Sequence, residues 1–221
     1  MTKLEVIGFN IESCKIAQSA GAHRIELCDN PAEGGTTPSY GFIKAARELL
    51  SIDLFCMIRP RGGDFFYSDA EYEIMKTDIT VCKQLGCDGV VLGLLSADGT
   101  IDVKRTKHLV ELSYPMDVTF HRAFDRTNDP EKALEEIISA GCTRILSSGL
   151  KPTAMEGIDL INSLIKKADD RIIIMPGSGI RAGNIKEIAE KSGAIELHSS
   201  ATKNSSYVDK EEVKKMLTQL K

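Results

Sequence analysis

The sequence predicts a single α/β domain folded as an eight-stranded (β/α)8 barrel. Three observations carry that expectation. Short β-branched runs alternate with longer segments of helical apolar spacing, these pairs number eight, and a helix-ending glycine precedes every second strand. A chain of 221 residues fits such a barrel as one unit, so residues 1–221 are read as one domain.

Taken in order, strands are expected at 4–8, 24–28, 54–59, 89–94, 118–121, 144–148, 171–175 and 194–198. The helices that follow them are expected at 11–20, 39–50, 69–85, 102–113, 130–140, 154–168, 182–191 and 209–220. Cys14 falls on the apolar stripe of the first helix, and Tyr72, Met75, Ile79, Cys82 and Leu85 mark that of the third. The fifth helix has the clearest start, an Asn128-Asp129-Pro130-Glu131 run that supplies an N-cap and a proline at the first helical position. Ala133, Leu134, Ile137 and Ile138 then form its apolar face, and Gly141 stops it. Thr153 with Glu156, and Asp209 with Glu212, have capping-box spacing before the sixth and eighth helices.

The triplets Ala20-Gly21-Ala22, Leu85-Gly86-Cys87, Ala140-Gly141-Cys142 and Ser192-Gly193-Ala194 each precede an even-numbered strand. Four copies of a β-α-β-α unit close a barrel, whereas an open doubly wound sheet has no reason to show a four-fold period. These glycines are expected on the face away from the functional loops. No G-x-G-x-x-G follows the first strand, so no nucleotide cofactor is expected.

Composition narrows the function classes. With 42% hydrophobic and 27% charged residues and a net charge of -4, nothing draws the chain to nucleic acid or an anionic membrane surface. No apolar run approaches the roughly 20 residues that cross a bilayer, and the start lacks a signal-peptide pattern, so a cytoplasmic location is expected. The six cysteines form no C-x-x-C pair, and Cys14, Cys82, Cys87 and Cys142 read as reduced packing residues.

In a barrel the loops after the strands form the functional face, and the polar motifs concentrate there. Arg59, Arg61 and Asp64 lie in a glycine-rich loop after the third strand, suited to a carboxylate or phosphate. The bland reading of the same loop is an Arg59–Asp64 ion pair. After the fifth strand come His121, Arg122 and Asp125; alternation turns His121 inward, as an acid, a base, a metal ligand or a neutral core histidine. Ser147 and Ser148 follow the sixth strand. Gly177, Ser178 and Gly179 follow the seventh, and His198 and Ser199 end the eighth, the usual place of a barrel phosphate pocket. On the second strand Arg24, Glu26 and Cys28 share a face, and Glu5 and Glu196 are expected to pair with Arg24 and Arg144 inside the barrel. Cys56 alternates with Leu54 and Ile58, toward the helices and away from Cys28.

Six ordered motifs resemble the CutC family: Arg24 to Cys28, Glu33 to Ser39, Met57 to Asp69, Phe120 to Asp125, Arg144 to Gly149 and Gly177 to Ile180. They reach from the second strand to the loop after the seventh, and the likeness runs to about residue 201. The resemblance implies a TIM-like barrel in the cytosol, a role in copper tolerance, and self-association as a homo-oligomer. It also implies Cu(I) at Cys28, with Met57 or His121 as companion. Two departures stand out: Ile7 occupies the first-strand position where relatives often carry a second cysteine, and the last helix follows Ser200 without the longer polar insertion of many relatives.

Two functions therefore stand side by side. The resemblance implies copper binding. The residues themselves favour a small anionic metabolite held by Arg59, Arg61 and the Gly177 loop, with His121, Asp125 or Glu26 moving a proton.

Overall fold

The computed structural model describes residues 2–203 and 207–221. Its strands are β1 Lys3–Gly8, β2 Arg24–Leu27, β3 Asp53–Met57, β4 Gly89–Leu92, β5 Asp117–Phe120, β6 Arg144–Ser147, β7 Ile173–Pro176 and β8 Glu196–Ser199. The helices are α1 Ile11–Ala20, α2 Tyr40–Leu49, α3 Asp69–Gln84, α4 Val103–Ser113, α5 Pro130–Ala140, α6 Ile158–Ala168, α7 Ile185–Ser192 and α8 Lys210–Gln219. All strands run parallel in the order β7-β6-β5-β4-β3-β2-β1-β8, so the predicted barrel is the observed architecture. At the remaining seam β7 and β8 lie side by side without a ladder among the described residues. No described helix is long and apolar enough to cross a membrane.

Element boundaries follow local chemistry. Asn10 caps α1 through Ser13 N–H, and Asp129 caps α5 through Lys132 N–H with Pro130 at the first position. Gly21, Gly86, Gly141 and Gly193 all take positive φ where helices end, as the repeat predicts. The two capping boxes read from the sequence form only in part. Thr153 and Glu156 do bond each other, but Ala154 N–H is drawn to Ser178 O, so the segment makes a turn and α6 starts only at Ile158. Asp209 caps α8, yet its own N–H is taken by Ala201 O, and the Glu212 carboxylate turns instead to Ala182 N–H at 2.8 Å. A reciprocal box does form at Ser68 and Glu71, at the start of α3.

Several expected strands shift by a few residues. The third ends at Met57, not Arg59, because Arg59 N–H leaves the ladder for Thr37 Oγ1. The seventh begins at Ile173, since Arg171 folds back onto the carbonyls of Lys167 and Ala168. Two short 3-10 helices, Pro31–Glu33 and Arg122–Arg126, carry no signal in the sequence pattern.

An apolar layer fills the space between barrel and helices, including Leu4, Val6, Ile25, Ile79, Phe120 and Leu197. The barrel interior is different, because it holds charge. Arg24 binds Glu5 at 2.5 Å and Glu196 at 2.6 Å, and Arg144 reaches Glu196 at 2.8 Å, as expected from alternation. The Phe55 ring lies 4.7 Å from the Arg24 guanidinium and 5.2 Å from that of Arg144. Mutual pairing offsets the desolvation that lone charges would meet here.

Phe55 fits only because its neighbour on β4 has no side chain: a Cβ on Gly89 would stand 2.5 Å from the ring. Gly89→Ala is expected to cost about 1 to 3 kcal/mol through overpacking, measured by urea unfolding. A neutral result would mean that the Arg24–Phe55–Arg144 stack is loosely held.

Candidate functional site

A cleft of about 810 Å³ opens at the C-terminal ends of the strands. Its floor is made by residues of β1, β2, β3, β6 and β8, and its walls by the loops after β1, β2, β3, β5, β6, β7 and β8. None of the four helix-ending glycines lines it, and Gly21 borders a separate hollow at the other end.

His198, on β8, and Glu26, on β2, face each other across the floor, with His198 Nε2 3.8 Å from a Glu26 oxygen. His198 Nδ1 lies 2.7 Å from Glu5 on β1, which fixes the ring. Glu5 is fully buried, but the penalty of burial is outweighed by the charge of Arg24 and by the bonds from His198 and Arg24, which hold it down to about 2. It is therefore the permanent anion of the trio. Burial pushes Glu26 up to about 7, aided by the charge of Glu5 and opposed by His198. Its Oε1 has no hydrogen-bond partner. Burial lowers the affinity of His198 for a proton, but the charge of Glu26 and the bond and charge of Glu5 raise it above its ordinary value. One carboxylate stays ionised and orients the imidazole, while the other exchanges a proton near neutrality.

His121 behaves in the opposite way. Its Nδ1 accepts Ala123 N–H, which places the proton on Nε2, and that buried atom has no partner. Burial, together with the nearby charge of Arg59, pushes its pKa down to about 3. The ring packs on Phe65 at 4.9 Å and beneath Gly93, where a Cβ would come within 2.4 Å of Nδ1. His121 is a rigid, neutral donor lining the cleft.

Of the other residues singled out from the sequence, Arg59, Arg122, Asp125, Ser178, Gly179 and Ser199 line the cleft. Several are already engaged. Arg59 donates to the carbonyls of Glu33, Gly35 and Gly63, and so ties the loops after β2 and β3 together. The alternative Arg59–Asp64 pair does not form, because Asp64 bonds Arg61, which also holds Glu71; neither Arg61 nor Asp64 reaches the cleft. Asp125 accepts from Arg122, Ser147, Ser148 and Leu150, making it the anchor of the β6 loop. Ser147 and Ser148 act through that anchor and, like Gly177, lie outside the lining. Cys28 lies outside it too, fully buried in a cluster with Phe55, Met57 and Val91, with Ile7 packed alongside. Burial and then the charge of Glu26 push its thiol well above the ordinary range.

Three further cations, which lie outside the sequence motifs, face the cleft, and of these Arg181 donates to Ile180 O and Ser199 Oγ. Arg126, Lys151 and Arg181 line the cleft, and neither Arg126 nor Lys151 Nζ has an ion-pair partner among the described residues. Each follows a motif already singled out, on the loops after β5, β6 and β7, which was the available signal. The β7 loop adds backbone donors: Ser178 and Gly179 both take left-handed φ, at 79° and 73°, and no acceptor meets the N–H groups of Ser178, Gly179 or Ile180 among the described residues. Successive N–H groups in such a turn form an anion-binding concavity.

Comparison with known proteins fixes the family. The CutC family profile matches residues 2–203. The chain belongs to the CutC family. A CutC relative from Chromobacterium violaceum is 55% identical over 198 residues, covering 90% of this chain and 80% of its own length. The mouse copper homeostasis protein cutC homolog is 50% identical, with 90% and 73% covered. The crystal structure of a CutC protein from Streptococcus agalactiae superposes with a TM-score of 0.87 at 37% identity, with 90% of this chain and 99% of that one covered. Phosphoribosylanthranilate isomerase of Thermotoga maritima shares the barrel at a TM-score of 0.66 and 12% identity, with 99% and 98% covered, a likeness of fold alone.

Proposed function

We propose that the cleft binds a small phosphate- or carboxylate-bearing metabolite and that Glu26 and His198 move a proton on it. The observation that carries this reading is the split character of the cleft. Along the β5 to β7 loops stand Arg126, Lys151, Arg181 and the three free N–H groups, while the floor holds an acid poised near neutrality beside an oriented histidine. The first group suits an anion, and the second suits general acid–base chemistry. His121 Nε2–H then supplies a neutral hydrogen bond to an oxygen on which charge develops.

Native mass spectrometry against pools of phosphorylated and carboxylated metabolites tests the reading. One ligand per chain is expected to survive desolvation, and Glu26→Gln is expected to keep the ligand but stop its turnover, because an amide carries no exchangeable acid proton. Retention of no pool member would overturn the proposal.

The names of the relatives support a second reading, handling of Cu(I), with copper as cargo. Cys28 and Met57 share one apolar cluster and would offer a thiol and a thioether. The fit is poor in one respect: the thiol is held protonated and Ile7 stands beside it, so no second thiolate is at hand. Self-association and a cytosolic setting carry over from the resemblance as part of either reading, and sedimentation equilibrium measures the first.

A further inference from the structure

We infer that Cys56, Cys82 and Cys87 form a Cu(I) site of their own, in the layer between barrel and helices and away from the cleft. Cys56 points outward from β3, Cys82 inward from α3, and Cys87 follows the turn that ends α3. Their sulfurs all lie within 4.8 Å of one another, and those of Cys56 and Cys87 are 3.5 Å apart. An ion held at about 2.3 Å by three thiolates in a plane needs sulfurs about 4.0 Å apart. The Cys56–Cys87 pair is tighter than that value and no pair exceeds 4.8 Å, so small side-chain adjustments close the site.

The donor set selects the metal. Soft thiolates favour Cu(I) and Zn(II), but structural zinc takes four ligands. No fourth His, Cys, Asp or Glu joins the group among the described residues, and the neighbouring Asp88 turns its Oδ2 to Arg47 at 2.6 Å and to Leu54 N–H at 2.8 Å. A three-coordinate site suits Cu(I).

The surroundings fit a bound monovalent cation among thiolates. Cys56 and Cys82 are fully buried and Cys87 is 6% exposed, so the ion would enter past Cys87. Each binding thiol gives its proton to water as its S–Cu bond forms; copper remains Cu(I) and no electron changes hands.

Anaerobic titration with Cu(I) against a strong Cu(I) chelator tests the site. One chelator-resistant ion per chain is expected in the parent protein and in Cys28→Ser, with a three-sulfur shell by X-ray absorption. Cys87→Ser, with its folding checked by circular dichroism, is expected to lose that ion and keep any anion binding in the cleft. Should Cys87→Ser fail to fold, alkylation of the parent protein gives the same answer, because Cu(I) must protect Cys87. The inference is overturned by copper that survives in folded Cys87→Ser, by its loss in Cys28→Ser, by unprotected Cys87, by the absence of chelator-resistant copper, or by a preference for Zn(II).

Discussion

Replacing Arg24 with methionine is expected to destabilise the protein by about 3 to 5 kcal/mol at pH 7, the scale for removing one partner of a buried ion pair. Arg24 is 1% exposed and holds both Glu5 and Glu196, so its loss strands Glu5 beside His198 and leaves Glu196 to Arg144 alone. The penalty is expected to depend on pH in a defined direction. Glu5 is held at about 2, below its ordinary value of 4.5, so its contribution in the parent protein is full above about 4.5 and disappears as pH falls toward 2. In the variant only the contribution of His198 is left to lose. Urea unfolding at a series of pH values should therefore show the gap narrowing below pH 4.5. A penalty of equal size at pH 3 and pH 7 would mean that Arg24 acts by filling space between Phe55 and Met175, not by charge.

The second large effect runs the other way, since Glu26→Gln is expected to stabilise the protein above pH 7. Folded Glu26 holds its proton up to about 7, whereas the unfolded chain releases it near 4.5. Between these values the folded state binds more protons, so stability contributed by this group is full below 4.5 and falls as pH rises to 7. A separation of that size corresponds to about 3 kcal/mol. Glutamine keeps the shape and has no charge to desolvate, so it escapes the loss, offset in part by the weaker hold on protonated His198. Thermal unfolding of the pair of proteins should diverge from pH 4.5 upward and run parallel above about 7. Such a gain is the signature of a group kept for function at the expense of stability. Equal stability across that range would show that Glu26 ionises as an ordinary glutamate and is no acid–base candidate.

The fold was legible because its signals are local and repeated. The Pro130 helix, the glycine stops and the inward-facing Arg24, Glu5 and Glu196 each follow from short-range spacing and the two-residue strand period. Residue types at the cleft were legible too, but their engagement was not. Arg59 looked like an anion ligand, yet the turn at 33–35 and the loop at Gly63 present carbonyls that need a donor, and Arg59 is the nearest one. Asp125 looked like a proton carrier, and its oxygens are filled by the β6 loop. Arg126 and Lys151 drew no attention because nothing in the sequence marks a cation as unpaired. The same holds for the cysteines. Cys56, Cys82 and Cys87 each read correctly as buried, and only the register of β3 against α3 brings their sulfurs together.

The central claim, an anion held at the mouth of an acid–base floor, is tested most directly by titrating inorganic phosphate into the protein, Arg126→Met and Cys28→Ser under calorimetry. Saturable binding of one phosphate is expected in the parent protein, unchanged in Cys28→Ser. In Arg126→Met it should be weakened by about 1.5 to 3 kcal/mol, the worth of a hydrogen bond to a charged group. Phosphate that does not bind, or that binds equally well without Arg126, would contradict the account.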